Sequence, residues 1–195
     1  MLGIPRRRAA RPSSRIRPLL RGSAFVLVGT LLGAAPPDDA GSIEYRVKAA
    51  YLLNFARYVE WPASAFENPD DPFSICVIGA DPFGEDLDRT VAGHVIGGRN
   101  IVPQRLKGGA EAARCHIVYI GRTGPDDLER TLQALASRPV LTVGETRAFL
   151  QGGGAVRFLL VDETVRFEVN LQAAQRAGLR VSSRMLSFAY TVKEQ

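Results

Sequence analysis

The sequence predicts an α/β domain, a three-layer, doubly wound, mainly parallel sheet of Rossmann-like type with a C-terminal β-hairpin. Three observations predict it. Apolar runs of four to seven residues alternate with amphipathic stretches across the chain after residue 41, as in strands that crossover helices cover on both faces. Two such runs, 156–161 and 165–169, are separated only by the polar Asp162, Glu163 and Thr164, a hairpin signal. A length of 195 residues, 46% hydrophobic and 23% charged, suits one domain of ordinary size and neither a disordered chain nor a collagen-like repeat.

The elements follow in order. Ser42 is expected to cap a first helix whose Val47, Ala50, Tyr51, Phe55 and Tyr58 recur close to a 3.6-residue period. Pro62 ends it by forcing Trp61 out of helical geometry. After an acidic loop, 67–71, residues 73–78 (FSICVI) read as a short buried strand, and 81–91 as a helix with Leu87 and Val91 one turn apart. Residues 100–106 form a second strand, which Pro103 confines to an edge because it cannot donate to a neighbour. The run 116–120 is an almost unbroken apolar strand. Pro125 suits the first turn of a helix carrying Leu128, Leu132 and Leu135. Residues 139–143 give another strand, 145–150 a short helix, and the three glycines 152–154 stop it. After the hairpin, Asn170 caps a helix that Gly178 closes, and Ser182 or Ser183 starts a last one through Met185, Leu186 and Phe188. Residues 45–192 are therefore expected to form one domain.

The formal charge of +5 would suggest a nucleic-acid partner, but the excess is confined to the leader. Arg6, Arg7, Arg8, Arg11, Arg15, Arg17 and Arg21 all lie in residues 1–40, leaving 18 basic and 18 acidic residues in 41–195. The folded body is neutral, and no nucleic-acid partner is expected. An apolar segment, 23–35 (SAFVLVGTLLGAA), follows these arginines; its thirteen residues are too few to cross a bilayer, which takes roughly 20. Residues 1–35 thus read as a cleaved secretory signal, 36–44 as an N-terminal tail, and the protein as periplasmic. An uncleaved amphipathic anchor or a start codon placed too early is the alternative.

No enzyme signature emerges. His94 and His116 are the only histidines, without the spacing of a zinc site. Cys115 and His116 are adjacent in an extended run and point to opposite faces, so they cannot act as a nucleophile pair. The segment 79–84 (GADPFG) stands where a dinucleotide fingerprint would stand. Its Asp81 replaces the glycine that lets a pyrophosphate approach and would repel it; Asp81 is expected to cap the helix instead. Catalytic, cofactor and metal residues are accordingly expected to be none.

Two cysteines in an exported chain make a disulfide the default. Cys76 lies in the first strand and Cys115 at the start of the third, neighbours in the common order 2-1-3-4-5. Adjacent strands lie about 4.8 Å apart, within bridging range, so a Cys76–Cys115 bond is expected. The first helix carries apolar groups on more than one face, and Arg57, Tyr58 and Trp61 at its exposed end are expected to border a dimer or partner surface. Open α/β sheets also leave a crevice at the carboxyl ends of their strands, where Arg99 or Arg122 would meet an anion.

Several segments in this order resemble the YfiR family of periplasmic proteins: 47–62 (VKAAYLLNFARYVEWP), 81–84 (DPFG), Gly98 and Arg99 before a strand, 115–120 (CHIVYI), 165–170 (VRFEVN) and 178–186 (GLRVSSRML). The resemblance spans residues 45 to 190. It implies a three-layer α/β fold without demonstrated catalysis. It further implies a homodimer that restrains an inner-membrane diguanylate cyclase through that enzyme's periplasmic sensor region, and an outer-membrane lipoprotein that sequesters it. Cys76 and Cys115 match one of the two disulfides of the family's namesake; the second has no counterpart, since the chain has no other cysteine. The expected function is a non-catalytic periplasmic regulator that binds and restrains a membrane signalling partner in cyclic-di-GMP control. A periplasmic small-ligand sensor working with a two-component sensor kinase is the alternative, and an enzyme of unrecognised type a third reading.

Overall fold

The computed structural model describes residues 39–194. The expected signal at 1–35 and its cleavage point lie outside the described residues. Helix α1 (Asp39–Tyr58) starts before Ser42, which is therefore inside the helix and not its cap. A two-residue strand, β1 (Val59–Glu60), follows directly.

The body is a mixed α/β structure around a curled, mainly parallel sheet. Its strands are β2 (Phe73–Ile78), β3 (Val95–Ile96), β4 (Arg99–Leu106), β5 (Ile117–Ile120), β6 (Leu141–Gly144), β7 (Val156–Val161), β8 (Thr164–Asn170) and, beyond a separate short strand β9 (Arg180–Val181), β10 (Thr191–Lys193). Their spatial order is β10-β8-β7-β6-β5-β2-β4-β3. The run β4-β2-β5-β6-β7 is parallel throughout. Strands β7 and β8 pair antiparallel through a tight turn at Asp162 and Glu163, both with positive φ (48° and 60°), which matches the strand twist of a two-residue hairpin. That pair does not close the sheet, because β10 adds a parallel strand outside β8. Pro103 is tolerated because β3 pairs only with Arg99 and Asn100, leaving the outer side of β4 open at the proline.

Alternation along the strands separates two apolar clusters. Ile75, Val77, Ile117 and Tyr119 point to one side, where α1, α2 (Glu85–Val91) and α5 (Leu171–Arg176) pack with Phe55, Leu87 and Ala174. Cys76, Ile78, Val118 and Ile120 point to the other, toward α3 (Pro125–Leu135) and α4 (Arg147–Gln151) with Leu132, Leu135 and Phe149. The first side holds an aromatic nest in which Tyr51, Phe55, Phe158 and Phe167 stack or meet edge-on at 5.0–6.0 Å between centroids. Each buried phenylalanine contributes about 1.5–3 kcal/mol through burial, with aromatic geometry adding to it.

Two local expectations are corrected, and one strand was not foreseen. Asp81 does not cap α2; Gly84 holds that position with φ 50°. Asp81 instead accepts from the Phe83 N–H at 2.8 Å and pairs with the Arg105 guanidinium at 2.9 Å, a competing local bond that delays the helix by four residues. The short helix expected from Glu145 begins at Arg147, because Thr146 Oγ1 accepts from the Phe149 N–H at 3.0 Å and caps it. Strand β10 has no apolar run to announce it. The caps expected at Asn170 and Ser182 form, accepting from Ala173 N and Met185 N. The helix that Ser182 opens is α6 (Ser183–Phe188).

Candidate functional site

The disulfide joins Cys76 in β2 to Cys115, just ahead of β5, with Cα atoms 6.1 Å apart. The two strands are parallel neighbours, but Cys76 lies opposite Val118, so the bond reaches diagonally to the chain entering β5. The adjacent His116 points to the opposite face. Its ring stacks between Phe66 and Phe73 at 4.3 and 4.6 Å, and its Nδ1 accepts from the Ser74 N–H at 3.0 Å. Burial pushes its pKa down to about 4. A neutral imidazole accepting at Nδ1 carries its proton on Nε2.

At the end of α1 the expected trio separates. Arg57 is exposed, and its Nη2 lies 3.2 Å from His94 Nδ1. Trp61 turns inward: its ring meets Phe73 edge-on at 4.9 Å, and its indole N–H donates to the His116 carbonyl at 3.2 Å. Tyr58 faces α6, with the Arg184 guanidinium 5.4 Å above its ring. Between α1 and α6 runs an apolar groove of about 400 Å³, walled by Val47, Tyr51, Tyr58, Met185 and Phe188, with Arg184 at its side. Phe188 is 63% exposed, and Val47, Ile43 and Tyr190 are exposed as well. The signal for this groove was present in the two-faced helix; Phe188, read as one turn of the last helix, was not assigned to it.

Arg99 and Arg122 are not brought together. Arg99 stands at the amino end of β4, clamped by the carbonyls of Asn68 and Asp71 at 3.1 and 2.6 Å and lying 3.8 Å over the Phe66 ring. It ties the loop ahead of β2 and is not in the carboxyl-end crevice. Arg122 is exposed at the carboxyl end of β5, on the rim of a cavity of about 740 Å³. The loops after β2 and β5 are zipped together: Gly121 N donates to the Ile78 carbonyl at 2.8 Å, and a Cβ on Gly121 would lie 2.0 Å from the Ala80 carbonyl oxygen. That close approach shuts the β2–β5 crevice and leaves the opening beside β5 and β6.

Behind this cavity sits a polar cluster that the sequence reading passed over. Lys48 is 2% exposed, and its ammonium bonds both Glu44 and Glu145, the latter at 2.8 Å. Tyr119 donates its hydroxyl to the same Glu145 oxygen at 2.5 Å, and Tyr45 reaches the other at 3.5 Å. Burial, with the bond to Glu145, drives the Tyr119 pKa far up and keeps it a donor. Burial alone would lower the Lys48 pKa, but its bonds to Glu145 and Glu44 outweigh that and raise it. A lysine four residues after Glu44 on an otherwise apolar helix stripe was the available signal.

Among the described residues, no group of three or more His, Cys, Asp or Glu is placed to hold a metal ion, and no helix is long and apolar enough to cross a membrane. The class defined by these features is a mixed α/β domain with an apolar surface groove and a separate polar-walled cavity. A model of the YfiR/HmsC-like family matches residues 45–190, and the chain belongs to that family. The family is one of periplasmic regulatory proteins in cyclic-di-GMP signalling, and it is non-catalytic. Among solved structures, a conserved domain protein from Vibrio cholerae O1 biovar El Tor is similar at 14% identity, with a TM-score of 0.43. The match covers 62% of this chain and 54% of that one.

Proposed function

We propose that this protein restrains a membrane signalling partner, a diguanylate cyclase with a periplasmic sensor region, by docking it in the groove between α1 and α6. The observation that carries the reading is the groove itself: Val47, Tyr58 and Phe188 leave apolar and aromatic surface open beside the cation of Arg184. Aromatic groups with arginine are the composition of interface hot spots. Arg57, Tyr58 and Trp61 then mark the end of α1 that borders the partner or a second copy of the chain, with Tyr58 making direct contact and Trp61 holding the helix end in place. Export through a cleaved signal at 1–35, a homodimer and sequestration by an outer-membrane lipoprotein belong to the same reading. So does a doubly wound, Rossmann-like arrangement as the scaffold.

Affinity capture from the periplasm with crosslinking tests it. The expected product is an inner-membrane protein with a periplasmic region and a cyclase output, and capture of no membrane protein contradicts the proposal. The cavity beside β5 and β6 favours a second reading, a small-ligand sensor, and a sensor kinase in the captured fraction is the outcome that selects it.

A further inference from the structure

The cavity at the carboxyl ends of β5 and β6 has a charge imbalance built in at and behind its wall, of which Glu145 is the lining member. Glu44 and Glu145 share one ammonium, that of Lys48, leaving one negative charge in excess. Lys48 lies too deep to be a ligand contact itself. Its bond and that of Tyr119 converge on one oxygen of Glu145, which fixes the carboxylate. Among the described residues the other oxygen meets only the Tyr45 hydroxyl, at a long 3.5 Å, and a carboxylate oxygen has room for further donors. Glu145 and both tyrosines line the cavity together with the apolar Ile120, Leu132 and Phe149 and the uncharged polar Thr123, Gln133 and Thr146. At the rim, exposed Glu129 and Arg122 offset one another. A volume of about 740 Å³ falls within the range of small-molecule sites, roughly 300–1,000 Å³.

From this we infer that the cavity is a binding site for a small organic ammonium, an amine on an apolar or aromatic body, whose N–H groups bond the outward oxygen of Glu145. An anion there would face the excess negative charge of the two carboxylates at short range, and a neutral body would gain nothing from it. A metal ion would find a single carboxylate oxygen. The site is separate from the α1–α6 groove, and its fate does not decide the proposal made for that groove.

The test is a titration of the purified chain, followed by amide chemical shifts. Its probes are 2-phenylethylamine, the neutral 2-phenylethanol and the anionic 3-phenylpropanoate. The amine is expected to bind saturably, shifting amides around Tyr45, Tyr119 and Glu145, and at least tenfold more tightly than either analogue. Glu145→Gln keeps a hydrogen-bonding group beside Lys48 but removes the charge, and is expected to weaken the amine tenfold or more. Ala148→Trp, at an exposed position on the cavity wall, is expected to block it sterically without touching the buried cluster, and it decides the matter if the glutamine variant does not fold. Absence of saturable shifts with the amine overturns the inference. So does a carboxylate that binds as tightly, or amine binding that survives Ala148→Trp.

Discussion

His116 is neutral in the folded protein because it lies between two phenylalanine rings with its Nδ1 already accepting a backbone proton. Its folded pKa of about 4 lies below the ordinary value of 6.5, so the unfolded chain binds more protons between those limits. Stability is therefore expected to fall as pH drops from about 6.5 to 4, by about 2–3 kcal/mol, and to be fully retained above 7. Thermal melts across this range check it; His116→Asn, whose amide oxygen can still accept from Ser74, should flatten that part of the profile. Glu145→Ala is expected to cost about 2 kcal/mol in denaturant unfolding, because the Tyr119 hydroxyl loses its acceptor and buried Lys48 loses one of its two carboxylate partners. Trp61→Ala should cost a similar amount, since its ring and N–H are engaged within the chain. Neither environment was legible beforehand. His116 was correctly separated from Cys115 by strand alternation, but which rings enclose it depends on a loop 50 residues upstream. Glu145 escaped because Thr146 takes the cap and leaves it outside the helix, turned toward α1.

At the scale of elements, patterning carried most of the strands. Phe73–Ile78 matches to the residue because both faces of β2 are buried and the apolar run has no gap. β10 stayed hidden because its residues are exposed or half-exposed and it is placed by its backbone pairing with β8. Helix α4 is held in its turn by Phe149, whose ring lies so close to Gly154 that a Cβ there would sit 2.3 Å from it. Gly154→Ala is expected to lower stability by about 2 kcal/mol or more, because a rigid ring wedged in the core cannot yield. Melting of the purified variant checks this, and an unchanged melting temperature would contradict the packing described. The disulfide closes a loop of 39 residues between neighbouring strands. Cys76→Ser is expected to cost about 2–5 kcal/mol, and a non-reduced digest should show the two cysteine peptides joined.

On the scale of the whole molecule, the order of the parallel strands followed from the common arrangement 2-1-3-4-5, with the proline-bearing run at an edge. The placement of Arg99 did not, because a residue between two glycines and a strand can serve either end of the sheet. Helix α1 takes part in the core, the cavity and the groove. One side of it builds the core with Leu52 and Phe55, another reaches the cavity with Tyr45 and buries Lys48 behind it, and a third opens the groove with Val47, Tyr51 and Tyr58. That division explains why its sequence exceeds a single apolar stripe. The central claim is that the groove receives a membrane partner. Its most direct measurement is photo-crosslinking in intact cells, with benzoylphenylalanine in place of Phe188 or Val47 and, as a control on α3, of the exposed Arg130. The account predicts that positions 188 and 47 crosslink to one inner-membrane protein and position 130 does not. No adduct from the groove, or equal yields from all three positions, would contradict it.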